Sequence, residues 1–207
     1  MGIPRSVAVA SPVKAVGGPY QFIDALEQFA VEAARVASTP HRRMLDLCCG
    51  TGVLVGYFAK RGWEVTGADL CPELVSAAQA RLEDSGVCGD VRVSERPYVE
   101  VLDGRTFELI VAFDDLVCDV TSAEEMGATM EMAFEALSTG GHFVCQIDRR
   151  SADPSTFVDL ARSSGFSAAW RASPGLPAEP WCSDHAGSVE LVVARRDFGC
   201  QPSNGDD

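Results

Sequence analysis

The run Asp46-Leu47-Cys48-Cys49-Gly50-Thr51-Gly52 sets an acidic side chain just before a turn of small residues. Gly50 and Gly52 permit a tight reversal and let a ligand approach the backbone closely. A helix that starts directly after such a turn offers its first N–H groups to polar or negative atoms. About twenty residues further on stands Asp69, where a carboxylate can accept hydrogen bonds from both hydroxyls of a ribose. The combination suits a nucleoside-bearing cofactor. The dinucleotide pattern G-x-G-x-x-G fails here, because counting from Gly50 and Gly52 the third position is Val55.

Other side chains able to move protons are Asp114, Asp115, Asp148 and His185. The three aspartates fall where apolar runs end, and His185 follows Trp181 and Asp184 in a segment, 174–187, that also carries Pro174, Gly175, Pro177 and Pro180. Loops at the ligand face of a rigid sheet usually set specificity. His185 is the candidate general base and Trp181 a wall for an acceptor, with the three aspartates as rival bases. Tyr20, paired with Phe22 behind the Gly17-Gly18-Pro19 hinge, is a candidate lid and substrate contact. His41 and His142 stand at the opposite ends of their strands and read as structural. No C-x-x-C spacing occurs among the eight cysteines, so a zinc site is not expected.

The elements that must position these residues alternate along the chain. Apolar positions at three- and four-residue spacing predict a helix from Tyr20 to about Ala37. Strands are predicted at Arg43–Leu47, Trp63–Ala68, Val91–Ser94, Phe107–Phe113 and His142–Ile147, and helices follow near 53–61, 72–86, 123–137 and 154–164. Gly62, Gly86 and Gly165 are the stop signals, and Gly140-Gly141 reads as the turn before the fifth strand. Met126, Met130, Ala133, Phe134 and Leu137 share one helix face and read as core packing. Five βα units require a parallel sheet with helices on both faces. Strands at Phe166–Ala172 and Ser188–Arg195, joined without a helix, must be antiparallel. The expected architecture is α/β: a doubly wound, Rossmann-like seven-stranded sheet, mostly parallel with an antiparallel last strand. Residues 1–19 read as a mobile N-terminal arm, 20–197 as the domain and 198–207 as a disordered tail.

Composition narrows the partners. The chain has 207 residues, enough for one core without disulfides or metals. Its net charge of −13, with no basic stripe, argues against a nucleic-acid partner. No apolar stretch is long enough to span a bilayer, and the first twenty residues lack a secretory core. Reduced cysteines and a cytoplasmic location are expected, with Cys48, Cys71 and Cys145 as small core residues.

The segment from Asp46 to Gly52 resembles the first motif of the class I methyltransferases that use S-adenosylmethionine (SAM). The resemblance runs from about Tyr20 to Arg195. It takes in Asp69, the strand Phe107-Glu108-Leu109-Ile110-Val111, the run Leu137-Ser138-Thr139-Gly140-Gly141, and the closing strand pair. Cys48 departs from the pattern, because a glycine is usual there. The resemblance implies that Asp46, Cys48, Gly50, Thr51 and Gly52 hold the methionine side of SAM. It further implies that Asp69 and Leu70 hold the ribose side, Glu95 the adenine, and that Asp114 faces the cofactor. The implied function is methyl transfer to an oxygen, nitrogen or carbon atom of a small molecule, with natural-product metabolism as one setting, leaving S-adenosylhomocysteine. Two alternatives stay open: a protein methyltransferase, and a SAM-binding protein of this fold with another role. The run Asp114-Asp115-Leu116-Val117 replaces the Asn-Pro-Pro-Tyr type of motif that receives a flipped base.

Overall fold

The computed structural model describes residues 42–93, 98–113, 123–148, 153–172 and 189–197. The predicted first helix, the arm with Tyr20, the 174–187 loop and the tail lie outside these residues. The described elements run β1 (Arg43–Leu47), α1 (Val53–Ala59), β2 (Glu64–Asp69), α2 (Pro72–Ser85) and β3 (Asp90–Val93). They continue with β4 (Phe107–Ala112), α3 (Ala123–Ala136), β5 (Leu137–Asp148), α4 (Pro154–Ser163), β6 (Ala168–Ala172) and β7 (Val189–Arg195).

The strands form one sheet in the order β3-β2-β1-β4-β5-β7-β6. β1 to β5 pair in parallel, and β7 runs antiparallel to both β5 and β6. From β1 the chain winds outward through β2 and β3, then returns to lay β4 on the other side of β1. That reversal opens a crevice beyond the carboxyl ends of β1 and β4, where sheets of this kind bind ligands.

Alternation along the strands divides the core in two. Leu45 and Leu47 of β1, Ile110 and Ala112 of β4, and Phe143, Cys145 and Ile147 of β5 pack with Met126, Met130, Ala133 and Phe134 of α3 and Phe157, Val158 and Ala161 of α4. Met44, Leu109, Val111 and Val144 point the other way, against Leu54, Val55 and Phe58 of α1 and Val75, Ala78 and Leu82 of α2. Period-two side chains facing helices on both sides make every residue of β4 buried. Glu108 is included; its carboxylate accepts the Arg43 backbone N–H at 2.7 Å. The methionine stripe of α3 is core, as its spacing implies.

Three local expectations are corrected. Between β3 and β4 the described residues hold only a 3-10 turn, Val99–Val101, so the third βα unit carries no α-helix there. Gly140-Gly141 does not separate α3 from β5. The strand begins at Leu137, directly after the helix, and its register against β4 shifts between Phe107 and Leu109. A Cβ on Gly141 would stand 2.8 Å from the Ser138 carbonyl oxygen, so glycine lets the bulge fold on itself. The end of α3 is closed by Arg196, whose Nη1 donates to the Phe134, Glu135 and Leu137 carbonyls at 2.8–2.9 Å. A cation on the last carbonyls takes the place of a glycine cap at this helix end. Finally, Cys48 and Cys71 are only partly buried, whereas Cys145 is core.

Candidate functional site

The turn after β1 is built by three backbone constraints. Cys48 adopts φ 61°, Gly50 φ 52° and Gly52 φ 74°. Cys49 N–H donates to the Ala68 carbonyl at 3.0 Å, which ties the turn to the end of β2, and Gly52 N–H closes on the Cys49 carbonyl at 2.9 Å. Gly52 then enters α1 so close to α2 that a Cβ would lie 2.8 Å from Ala78 Cβ. Around a Cβ placed on Gly50, in contrast, none of the described residues comes within 4 Å. Gly52 is therefore glycine for packing, and Gly50 leaves open space beside the backbone. Arg81 of α2 donates from Nε to the Thr51 carbonyl at 2.8 Å, holding the turn from outside.

Asp69 is the hub of the site. One carboxylate oxygen accepts Gly50 N–H at 2.9 Å and the other accepts Cys71 N–H at 2.9 Å. Cys71 is the N-cap position of α2, and Pro72 follows at its first turn. A single side chain thus joins the glycine turn to the entry of the next helix, while each oxygen keeps a second lone pair for another donor. Leu70, the next residue, is 42% exposed, and Val99, just past β3, is 56% exposed. They are the exposed large apolar side chains among the described residues. Leu70 directly follows β2, and Val99 begins the 3-10 turn that precedes β4. Cys71 Sγ donates to Glu73 Oε2 at 3.0 Å.

Asp46 is buried within β1, and its charge is felt by the neighbouring Cys49 thiol. Burial first, and then the Asp46 and Asp69 carboxylates, push Cys49 far above the ordinary thiol range. Burial alone is the main cause for Cys145, with the nearby Cys48 adding to it. The sign follows directly. Both thiols stay protonated in the folded chain, so their contribution to stability is intact below the unfolded thiol pKa of about 8.5 and is lost as pH climbs beyond it. Urea midpoints measured from about pH 8 to about pH 10 should fall, by up to about 1.4 kcal/mol per pH unit for each thiol. Cys145→Ala should flatten that slope; an unchanged slope would mean that Cys145 ionises freely in the fold.

The structure brings together Asp46, Cys48, Gly50, Thr51, Gly52, Asp69 and Leu70 at the carboxyl ends of β1 and β2. Asp148 ends β5, its backbone paired with Val189 on the same edge of the sheet. Glu95, Asp114, Asp115, Trp181, His185 and Tyr20 lie outside the described residues. Sequence reading missed Tyr98. It is fully buried, takes φ 69°, and its Oη lies 3.1 Å from Cys48 Sγ. No periodic signal could reveal it, because it sits alone between elements and meets a partner 50 positions away.

Residues 44–141 match the family described as "Methyltransferase domain". A dTDP-3-amino-3,4,6-trideoxy-alpha-D-glucopyranose N,N-dimethyltransferase of Streptomyces venezuelae is 28% identical over 149 residues, covering 67% of this chain and 60% of that protein. A ubiquinone biosynthesis O-methyltransferase of Xanthomonas campestris is 42% identical over 78 residues, covering 37% of this chain and 32% of its own length. The chain thus spans less than two thirds of the curated relatives it matches. Among solved structures, an S-adenosylmethionine-dependent methyltransferase from Clostridium acetobutylicum superposes with a TM-score of 0.64 at 12% identity, over 86% of this chain and 96% of that one. A magnesium protoporphyrin IX methyltransferase from Synechocystis with bound SAH gives 0.63 at 13% identity, over 86% and 84%. These two likenesses speak for the fold. Among the described residues, no helix is long and apolar enough to cross a membrane.

Proposed function

We propose that this chain, whose residues 44–141 match the family described as "Methyltransferase domain", is a class I SAM-dependent methyltransferase that binds SAM at the β1–β2 edge and transfers the methyl group to a small molecule. The observation that carries the reading is the Asp69 clamp beside Gly50. A carboxylate with spare lone pairs stands at a turn whose backbone is left uncovered. Asp69 would accept the ribose hydroxyls, Gly50 and its neighbours would border the methionine portion, and Leu70 would cover a face of the adenine. Glu95 and Asp114 are proposed as further cofactor contacts, and Thr51 and Cys48 as part of the turn that shapes the pocket. SAM supplies a methyl group on a sulfonium, ready for in-line displacement.

Such a displacement asks little covalent help from protein. Holding the acceptor in line and excluding water supplies much of the acceleration. A base is needed when the acceptor must lose a proton. We propose His185 for that role, with Asp114, Asp115 or Asp148 as substitutes and Trp181 and Tyr20 as acceptor contacts. The relatives named above act on an amino sugar and in ubiquinone biosynthesis, which favours nitrogen or oxygen in a small metabolite over a protein acceptor. The acidic balance disfavours nucleic acid. We further propose that residues 20–197 act as one catalytic domain in a cytoplasmic setting.

The test is calorimetric titration with SAM, followed by assay of S-adenosylhomocysteine release with small amines, phenols and carboxylates. Micromolar binding with turnover of at least one acceptor is expected; SAM binding without turnover of any would favour the non-transferring alternative. Gly50→Ala gives a sharper reading. The added methyl meets none of the described residues, so the cost in stability should be only the backbone term, about 1–2 kcal/mol. SAM affinity should fall by roughly tenfold or more, because the methyl occupies the ligand's side of the turn. Equal losses in stability and affinity would place the ligand elsewhere.

A further inference from the structure

The turn after β1 contains a strained residue that is not glycine. Cys48 holds φ 61° where a side chain costs about 1–2 kcal/mol. Its Sγ is 3.1 Å from Tyr98 Oη, a hydrogen bond that either atom can donate. Tyr98 is itself in the left-handed region, at φ 69°, immediately before the 3-10 turn Val99–Val101. Its ring is fully buried in the core cluster that faces α3 and α4, and Cys48 packs against that same cluster. Two unfavourable backbone conformations, 50 positions apart, thus meet through one side-chain bond. Strain of this kind persists only where the surroundings over-determine it, and it gathers at ligand sites.

We propose that Tyr98 is a positioning residue for the cofactor turn, acting through Cys48. The inference rests on the reading of this edge as a SAM site. The buried ring is anchored by apolar packing. Its hydroxyl reaches Cys48 and holds residue 48 in the conformation that aims the following backbone, Cys49 to Gly52, at the ligand. The same residue begins the segment that carries exposed Val99 past the end of β3. One bond therefore links the glycine turn to the segment that precedes β4. A glycine at position 48 would reach the same φ without help, so the tie replaces conformational freedom with a specific contact.

The test uses three proteins: the parent chain, Tyr98→Phe, and Tyr98→Phe combined with Cys48→Gly. Phe keeps the buried ring and removes the hydroxyl, so the melting temperature without ligand should move little. SAM Kd by calorimetry should rise by roughly five- to tenfold, the size of one lost hydrogen bond that held a strained turn. KM for SAM should rise with it while kcat at saturating SAM stays level. Adding Cys48→Gly should bring Kd back toward the parent value, because glycine takes the positive φ freely. A merely structural tyrosine would not be rescued by a glycine at another position. If the parent binds SAM and Tyr98→Phe binds it equally well, or if Cys48→Gly fails to rescue the loss, the positioning role is overturned while the proposed function stands. If the parent binds no SAM, both readings fall.

Discussion

Replacing Asp69 with Ala should both abolish tight SAM binding and loosen the fold. In the folded chain its two oxygens accept Gly50 N–H and Cys71 N–H, each at 2.9 Å, and the residue is only 7% exposed. Alanine leaves two donors without their acceptor. Each unsatisfied group costs about 1–3 kcal/mol, reduced where water can enter from the open side of the turn, so a stability loss of about 2–4 kcal/mol is expected. The ribose hydroxyls lose their acceptor too, and affinity should fall by a further ~1–3 kcal/mol, on the order of tenfold to a hundredfold. Asp69→Asn separates the two effects. Its amide oxygen can still accept one N–H, but its NH2 turns a donor toward the other, so stability should be partly retained. Thermal unfolding with and without SAM, alongside calorimetry, reads both quantities. Unchanged SAM affinity in Asp69→Ala would show that the ribose lies elsewhere. Unchanged stability would show that the clamp contributes nothing to holding β1, β2 and α2 together.

Gly52→Val should be the most damaging single change in the turn, with Gly52→Ala close behind. A Cβ at this position stands 2.8 Å from Ala78 Cβ and 3.1 Å from Ala78 Cα, and the latter is backbone that cannot swing aside. The residue also holds φ 74°, which adds the left-handed penalty of about 1–2 kcal/mol. Relieving the clash requires α1 to move away from α2, and overpacking of this kind costs about 1–3 kcal/mol. The sum, about 2–5 kcal/mol, is a large share of the stability of a small domain. Urea unfolding of Gly52→Ala should therefore show a much lower midpoint than Gly50→Ala, although the two positions are separated only by Thr51. Similar midpoints for the two variants would mean that α1 and α2 separate cheaply. A Gly52→Ala/Ala78→Gly pair should recover the steric part of the loss and leave the backbone part, since Ala78 Cβ is the nearest atom in the way.

The contrast between these glycines marks the boundary of what local sequence can carry. Gly50 and Gly52 look equivalent in the run from Cys48 to Gly52, and both were expected to serve a ligand. Only the packing of α1 on α2 shows that one keeps space for a neighbouring helix and the other keeps space outside the protein. The same holds for Asp69. Its place at the end of β2, after a strand of alternating small and apolar residues, is readable from spacing. Its two backbone partners come from turns on either side and exist only once β1 and β2 are paired.

The order of elements, the buried faces and the position of the glycine turn after β1 were legible because each depends on periodicity or on residue chemistry within a few positions. Met126, Met130, Ala133 and Phe134 recur at helical spacing and lie against the sheet for that reason alone. Pro72 and Gly86 bracket α2 through their own backbone limits, Gly86 taking φ 65° as its cap. The run from Phe107 to Ala112 is buried on both faces because helices cover both sides of a parallel sheet. Contacts between distant residues carried no such signal. Arg196 closes α3 from about 60 positions away, the bulge at Leu137–Gly141 answers the register of β4, and Tyr98 finds Cys48 across the core. Local rules see a chain in windows shorter than any of these separations. The sequence by itself therefore determined the alternation of most described strands and helices and the place of the glycine turn and Asp69 at the strand ends. Tertiary packing alone decided which donors Asp69 receives, why Gly52 must lack a side chain, and how a cysteine is held where a glycine would be at ease, because those energies arise only when remote segments are brought within a few ångströms.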